Sequence, residues 1–148
     1  MKTLIAVPGL FIVLSSFALM GAHSFSIQLD DKQIVEQYVS RDMKVPRITI
    51  EPAENRQQLV VKYSECGRTV SGRKITAKDN NDKVLKEWKF EGTTSGFNDP
   101  MKVSVKDLVA LKSGSNNVIK LYYSSNDFAQ GQQFANVIVS PSVADAAR

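Results

Sequence analysis

The chain has 148 residues and a formal net charge of +4 at pH 7. This mild excess of basic residues helps solubility and does not by itself indicate a nucleic-acid partner. One cysteine and one histidine, His23 beside the predicted signal cleavage region, exclude thiolate clusters, Ser-His-Asp or Cys-His catalytic groups and the common zinc and copper sites from the folded part. We therefore predict that the protein is not an enzyme and holds no cofactor or metal.

The first 22 residues have the layout of a secretory signal peptide. Lys2 gives a positive start, an apolar run follows, and small residues end the segment at Ala22. A membrane anchor is the alternative, because about 20 apolar residues can span a bilayer. However, Pro8-Gly9 interrupts the run and no basic cluster follows it. We predict export to a periplasm or the exterior, with no stable membrane anchor after cleavage.

The remaining chain has the length of one domain, which we place at residues 23–140, with a flexible tail over residues 141–148. Apolar residues alternate with polar ones over residues 25–29, and Asp30-Asp31 follows as a turn. This pattern predicts a hairpin whose second arm ends at Val39. A helix over residues 31–40 is the alternative, because Asp30 fits an N-cap position.

Further strands are predicted by the same alternation. Their approximate spans are 47–50, 59–64, 74–78, 84–90, 101–105, 118–124 and 134–140. Between two of them, the Asp and Asn residues from Asp79 to Asp82 predict a hairpin turn. A calcium-binding EF-hand loop is not predicted, because the segment lacks the required spacing and glycine. Trp88 and Phe90 are predicted to share the inner face of their strand.

The segment over residues 118–124 is the most β-like of the chain, and its register is ambiguous. Either Ile119, Leu121 and Tyr123 point inward, or Val118 and Tyr122 do. About seven to nine short strands with turns between them predict an all-β, antiparallel β-sandwich.

Two resemblances add to this prediction. The Leu-x-x-Gly-x-Asn turn from Leu111 to Asn116, which leads into an alternating strand, resembles a connection in immunoglobulin-like and fibronectin-like domains. It implies an immunoglobulin-like sandwich. The segments Tyr63–Arg68 and Val84–Phe90 resemble uncharacterised small exported proteins of Bacteroidetes bacteria, which implies a periplasmic or cell-surface location and assigns no functional residues.

Cys66 is the single cysteine, so it cannot form a disulfide within the chain. We expect it to be buried, because unpaired cysteine is among the most buried residue types. The alternative is a reactive thiol, since the guanidinium of Arg68 nearby would stabilise the thiolate. A reactive Cys66 would favour a mixed disulfide or a disulfide-linked dimer.

Three aromatic residues are candidates for a binding surface. Phe97 and Phe128 lie in polar loops, and exposed loop aromatics indicate recognition. Tyr122 is adjacent to Tyr123, so it lies on an outer face if Tyr123 belongs to the core. Packing within the core or the loops is the favoured alternative for Phe97 and Phe128.

We predict a non-catalytic exported binding or accessory domain that recognises a protein or a glycan through its loops or a sheet edge, without nucleic acid as a partner. The alternative is an assembly subunit joined to another chain by an edge strand or by Cys66. Catalysis by carboxylates alone remains a third hypothesis. Its candidate pairs are Glu51 and Glu54, Asp79 and Asp82, and Asp99 and Asp107.

Overall fold

The structure, a computed structural model, describes residues 23–54, 57–93 and 99–141. The predicted signal peptide, the candidate Phe97 and the predicted tail from residue 142 onward lie outside the described residues. In the part of the chain that is described, no helix is long and apolar enough to cross a membrane.

The described residues form nine strands, one short α-helix (α1, Val105–Ala110) and a 3-10 turn (Pro52–Glu54). The strands are β1 His23–Leu29, β2 Lys32–Tyr38, β3 Arg47–Ile50, β4 Gln58–Glu65, β5 Arg73–Lys78, β6 Val84–Phe90, β7 Met101–Ser104, β8 Val118–Ser124 and β9 Gln132–Val139.

The strands make two sheets, one in the order β2-β1-β4-β7 and the other in the order β3-β9-β8-β5-β6. Every pairing is antiparallel except that of β3 with β9, which is parallel. The prediction of a wholly antiparallel sandwich is therefore wrong for the second sheet, which is mixed. The chain leaves the first sheet after β2, and β3 is placed beside the last strand by backbone bonds at both of its ends, through Pro46 and Ile50.

Alternation along each strand directs the apolar side chains into one core shared by both sheets, the arrangement of a β-sandwich. In β8, Ile119, Leu121 and Tyr123 are buried, which settles the ambiguous register in favour of the first alternative. Full burial of side chains of this size stabilises the fold by roughly 1.5–3 kcal/mol each. The core positions therefore fix which face of every strand remains for solvent.

The hairpin predicted at the start of the domain is confirmed. Strands β1 and β2 pair across Asp30-Asp31, with Asp30 in a left-handed conformation (φ 52°). Asp30 also accepts a hydrogen bond from the backbone N–H of Gln58 at 2.9 Å. The pairing shifts between Ile27 and Gln28, so that Ile34 is an extra residue in β2, a β-bulge on the edge strand.

The segment after β7 differs from the prediction. The alternation through Met101 and Val103 was expected to continue to Val105, but Val105 begins α1. Leu108 of this helix is fully buried. Trp88 is half buried at the margin of the core, and its indole N–H donates to Asp107 Oδ2 at 3.3 Å.

Candidate functional site

The outer face of strand β5 carries Lys74, Thr76 and Lys78, because Ile75 and Ala77 between them are buried in the core. Neighbouring strands extend this face on both sides. Lys74 is directly opposite Lys89 of β6, and Lys78 is directly opposite Lys120 of β8. Like charges directly opposite each other destabilise a sheet. The fold therefore tolerates two unfavourable lysine pairs on one surface.

One lysine of each pair is neutralised by a carboxylate. Lys74 forms an ion pair with Glu87 at 2.9 Å, and Lys120 forms one with Asp82 at 2.9 Å. The hydrogen bond from Lys74 lowers the pKa of Glu87, and that from Lys120 lowers the pKa of Asp82. Among the described residues, no ion pair involves Lys78 or Lys89. Each pair therefore has a net positive charge.

Tyr122 lies on this face, directly opposite Thr76. With Tyr123 in the core, the expectation that Tyr122 points outward is confirmed. The ammonium nitrogen of Lys78 lies over its ring, 4.3 Å from the centroid, a cation–π contact. The phenol donates to Gln133 Oε1 at 3.4 Å. The ring is therefore fixed between a cation and an amide.

Two surface cavities meet at Lys74, and we call them together the Lys74 groove. The larger, of about 420 Å³, lies beside Lys89 and Asn126. The smaller, of about 200 Å³, extends past Thr76 and Tyr122. The larger cavity falls within the range of small-ligand sites, which have volumes of roughly 300–1,000 Å³, and the smaller one is below it.

The loops at one end of the sandwich, over residues 66–72, 91–93 with 99–100, and 125–131, are joined to each other by backbone bonds. The N–H of Asn126 donates to the Ser71 carbonyl at 3.0 Å, and that of Thr93 donates to the Val70 carbonyl at 2.9 Å. The guanidinium of Arg73 donates to two carbonyls of the 91–100 loop, each at 2.7 Å. These bonds hold the rim of the larger cavity in place.

A buried carboxylate lies beneath these loops. Glu65 is 1% exposed, and its Oε1 accepts a hydrogen bond from the Tyr123 hydroxyl at 2.8 Å. The ring of Tyr123 stacks on that of Tyr63 with centroids 3.8 Å apart. Burial is the main cause that raises the pKa of both phenols well above the ordinary value. Glu65 Oε2 has no hydrogen-bond partner among the described residues.

Phe128, a predicted binding residue, is half buried and packs against the core. Its ring meets the imidazole of His23 edge-on, with centroids 4.9 Å apart. This placement agrees with loop packing, the alternative favoured by the sequence. His23 was expected at a processed or floppy end, but it is the first residue of β1, paired with Glu65.

The expectation that Cys66 is buried is wrong. Cys66 is exposed, in the turn after β4, with a left-handed backbone conformation (φ 59°) that ends the strand. The guanidinium of Arg68 lies 4.0 Å from Glu65 Oε2. Arg68 therefore forms an ion pair with the buried carboxylate of Glu65.

Two of the three candidate carboxylate pairs contain a residue with a structural role, and Glu51 and Glu54 lie at the 3-10 turn Pro52–Glu54. Asp79 Oδ1 accepts the backbone N–H groups of Asn81 and Lys83, which confirms the predicted hairpin turn. Asp107 lies in α1 and accepts a hydrogen bond from Lys86 at 2.8 Å, which lowers its pKa. Asp99 precedes β7 and Asp107 follows it, so the strand separates them. Within the described residues, no group of three or more His, Cys, Asp or Glu side chains is placed to hold a metal ion.

Sequence reasoning found Tyr122 but missed the lysine pairs around it. In the structure Lys89 lies on the outer face, whereas Lys86 reaches Asp107 across the edge. The alternation could have placed Lys74 and Lys78 outward, but which lysine faces them depends on strand register.

No protein-family model matches this chain, and no curated protein is similar to it in sequence. The case for a function therefore comes from the geometry of the described residues.

Proposed function

We propose that the chain is an exported, non-catalytic binding domain that recognises a protein or a glycan through the Lys74 groove. The observation that carries this proposal is that lysines lie directly opposite each other at two places on one sheet face. Lys74 is opposite Lys89, and Lys78 is opposite Lys120. Such repulsion is retained at a cost in stability, and an anionic ligand would relieve it. The cavities beside Lys74 provide space for that ligand.

We also propose an immunoglobulin-like sandwich. The order β9-β8-β5-β6 corresponds to strands G, F, C and C′ of that fold, and β1, β4 and β7 correspond to A, B and E. Export rests on the signal-peptide pattern of residues 1–22 and on the resemblance to Bacteroidetes exported proteins. The proposal that the domain is not catalytic rests on its having one cysteine and one histidine. The histidine, His23, is in hydrogen-bond contact with the Tyr63 hydroxyl and packs edge-on against the Phe128 ring.

Mapping of amide chemical shifts tests where ligands bind. The ¹⁵N-labelled exported protein would be titrated separately with cell-surface polysaccharides and with peptides of either charge. We expect the shifts to concentrate on the outer faces of β5, β6 and β8, and to weaken in Lys74→Ala. Lys102→Ala is the matched control, because Lys102 is an exposed strand lysine on the other sheet. Shifts confined to β2, or none with any probe, would contradict the proposal.

An assembly subunit is the second candidate, favoured by the edge strand β2. Ile34 and Tyr38 of this strand are 38% and 73% exposed. The bulge at Ile34 and the charge on Lys32 oppose edge-to-edge pairing, which is why we rank this candidate second. Cys66 offers a covalent route because its thiol is exposed.

Light scattering on the eluting protein, with and without reductant, separates the two candidates. A monomer under both conditions agrees with a binding domain. A dimer that reductant separates would put assembly through Cys66 first. A dimer that persists in reductant and is lost in Tyr38→Lys would indicate β2.

A further inference from the structure

We propose that the ligand of the Lys74 groove is an acidic polysaccharide, a chain of sugars with carboxylate groups at regular intervals. This inference rests on the proposed function and names the ligand class of the same site. It starts from the separation of the lysine pairs along β5. Lys74 and Lys78 are four residues apart, which is about 13 Å in a strand.

A ligand with several charges suits that separation. The Debye length is about 8 Å at physiological ionic strength, so a charge bound at one pair contributes little at the other. A ligand with one acidic group would engage only one pair. A repeating polyanion engages both, and its second contact forms at high effective concentration once the first is made.

The cation–π contact between Lys78 and Tyr122 argues against a neutral sugar as the ligand. Neutral saccharides bind by stacking on a free aromatic face, but the Lys78 ammonium occupies a face of this ring. The same contact places a cation that has no ion pair among the described residues above the middle of the groove. A site for neutral sugars would leave the aromatic ring open for stacking. Here the Lys78 ammonium covers that face of the ring, so the groove offers a positive charge instead.

The groups around the lysines argue for a sugar rather than an acidic protein. Thr76 and Tyr122 lie between the two lysine pairs, and Gln133 and Asn136 lie beside them on β9, so the side chains around the lysines carry hydroxyl and amide groups. Protein interfaces depend on an aromatic or apolar anchor that fills a pocket. Of the large apolar residues that are exposed, Ile34 and Tyr38 lie on the other sheet. The groove itself contains Val84, which is 49% exposed, but valine is under-represented among the residues that anchor protein interfaces. Single-stranded nucleic acid needs free aromatic faces for its bases, and the capped ring of Tyr122 does not supply one.

Lys78→Ala and Lys89→Ala are the informative variants. Neither lysine has an ion pair among the described residues, and they belong to different pairs, so each variant weakens one contact point without disrupting a salt bridge. By calorimetry with polygalacturonate, we expect each to weaken binding about 1.4-fold to fivefold, the range for one exposed charge pair. Lys102→Ala is expected to bind like the wild type. Binding should weaken steeply with added salt.

Four probes decide the ligand class: polygalacturonate, poly-glutamate and single-stranded DNA at equal charge concentration, and neutral dextran at the same sugar concentration as polygalacturonate. The inference is supported if polygalacturonate binds tightest and the two lysine variants weaken it. It is overturned, while the proposed function stands, if poly-glutamate or dextran binds as tightly at the same lysines. If DNA binds as tightly there, the inference and the proposed function are both overturned. If no probe binds and the amide-shift titration also shows nothing in the groove, both the inference and the proposed function fail.

Discussion

The hydrogen bond between Tyr123 and Glu65 allows a sharp test of how the core tolerates a buried carboxylate. Tyr123→Phe removes only the hydroxyl that donates to Glu65 Oε1 at 2.8 Å. Because Oε2 has no hydrogen-bond partner among the described residues, the variant removes the one hydrogen bond that they give this carboxylate and leaves it the long ion pair with Arg68, at 4.0 Å. Tyr63→Phe is the matched control. Its ring is equally buried and stacks on Tyr123, but among the described residues the hydrogen-bond partner of its hydroxyl is the His23 ring nitrogen Nδ1, at 3.3 Å, and not a carboxylate.

The two variants differ in the charge of the group that loses its partner. A hydrogen bond to a charged group contributes about 1.5–3 kcal/mol, whereas a neutral one contributes about 0.5–1.5 kcal/mol. We expect Tyr123→Phe to lower the free energy of unfolding by about 2–3 kcal/mol and Tyr63→Phe by about 1 kcal/mol or less. In the Glu65→Gln background the loss caused by Tyr123→Phe should shrink by roughly half, since a neutral amide is less costly to leave unpaired.

Urea denaturation followed by tryptophan fluorescence measures these differences through Trp88, the single tryptophan. The wild type, Tyr123→Phe, Glu65→Gln and the double variant form a double-mutant cycle whose coupling energy isolates the hydroxyl–carboxylate interaction. Equal losses for Tyr123→Phe and Tyr63→Phe, or a coupling energy near zero, would refute the reasoning that this hydrogen bond offsets the burial of Glu65.

Three further predictions concern the same end of the molecule. Because burial raises the pKa of Tyr63 and Tyr123, the unfolded chain releases their protons above about pH 10 while the folded chain retains them. The stabilisation from these two tyrosines should therefore be fully present below that pH. Above it, the free energy of unfolding should fall by up to about 1.4 kcal/mol per pH unit for each tyrosine. Urea midpoints that stay constant from pH 9 to 11 would contradict this. Gly131→Ala should destabilise by at least about 1 kcal/mol more than Gly67→Ala, as measured by thermal unfolding. Both glycines have φ of +70°, but only at Gly131 would the added Cβ meet a backbone oxygen, at 2.7 Å. Cys66 should react with a thiol reagent in the native protein because it is exposed, and modification only after denaturation would show that the turn shields it.

The strands were predictable where one face is apolar and the other polar. Alternation placed nearly every strand and the first hairpin. It did not settle the register of β8, because Val118 and Tyr122 on one face compete with Ile119, Leu121 and Tyr123 on the other. Helix α1 was missed because a six-residue helix is too short to show its own period against the alternation before it.

The candidate site was predictable only in part, since it is made by pairing between strands. The outward orientation of Tyr122 could be predicted, because its neighbour in the strand is a core residue. The lysine pairs depend on which residues of β5 face those of β6 and β8, and turn geometry and core packing set that register. Cys66 was expected inside because cysteines usually are, whereas the left-handed turn after β4 places it outside.

The parallel pairing of β3 with β9 has a consequence for the order in which the protein folds. Arg47 is matched with Asn136, so β3 has no sheet to join until nearly the whole chain is available. The β1–β2 and β5–β6 hairpins are local and can form during synthesis, but the second sheet closes only when residues 132–139 arrive. A chain truncated before β9 would leave β3 unpaired and one edge of β8 open. The second sheet therefore cannot be completed before β9 is available. If the chain is exported as we propose, this sheet would be completed only on the far side of the membrane.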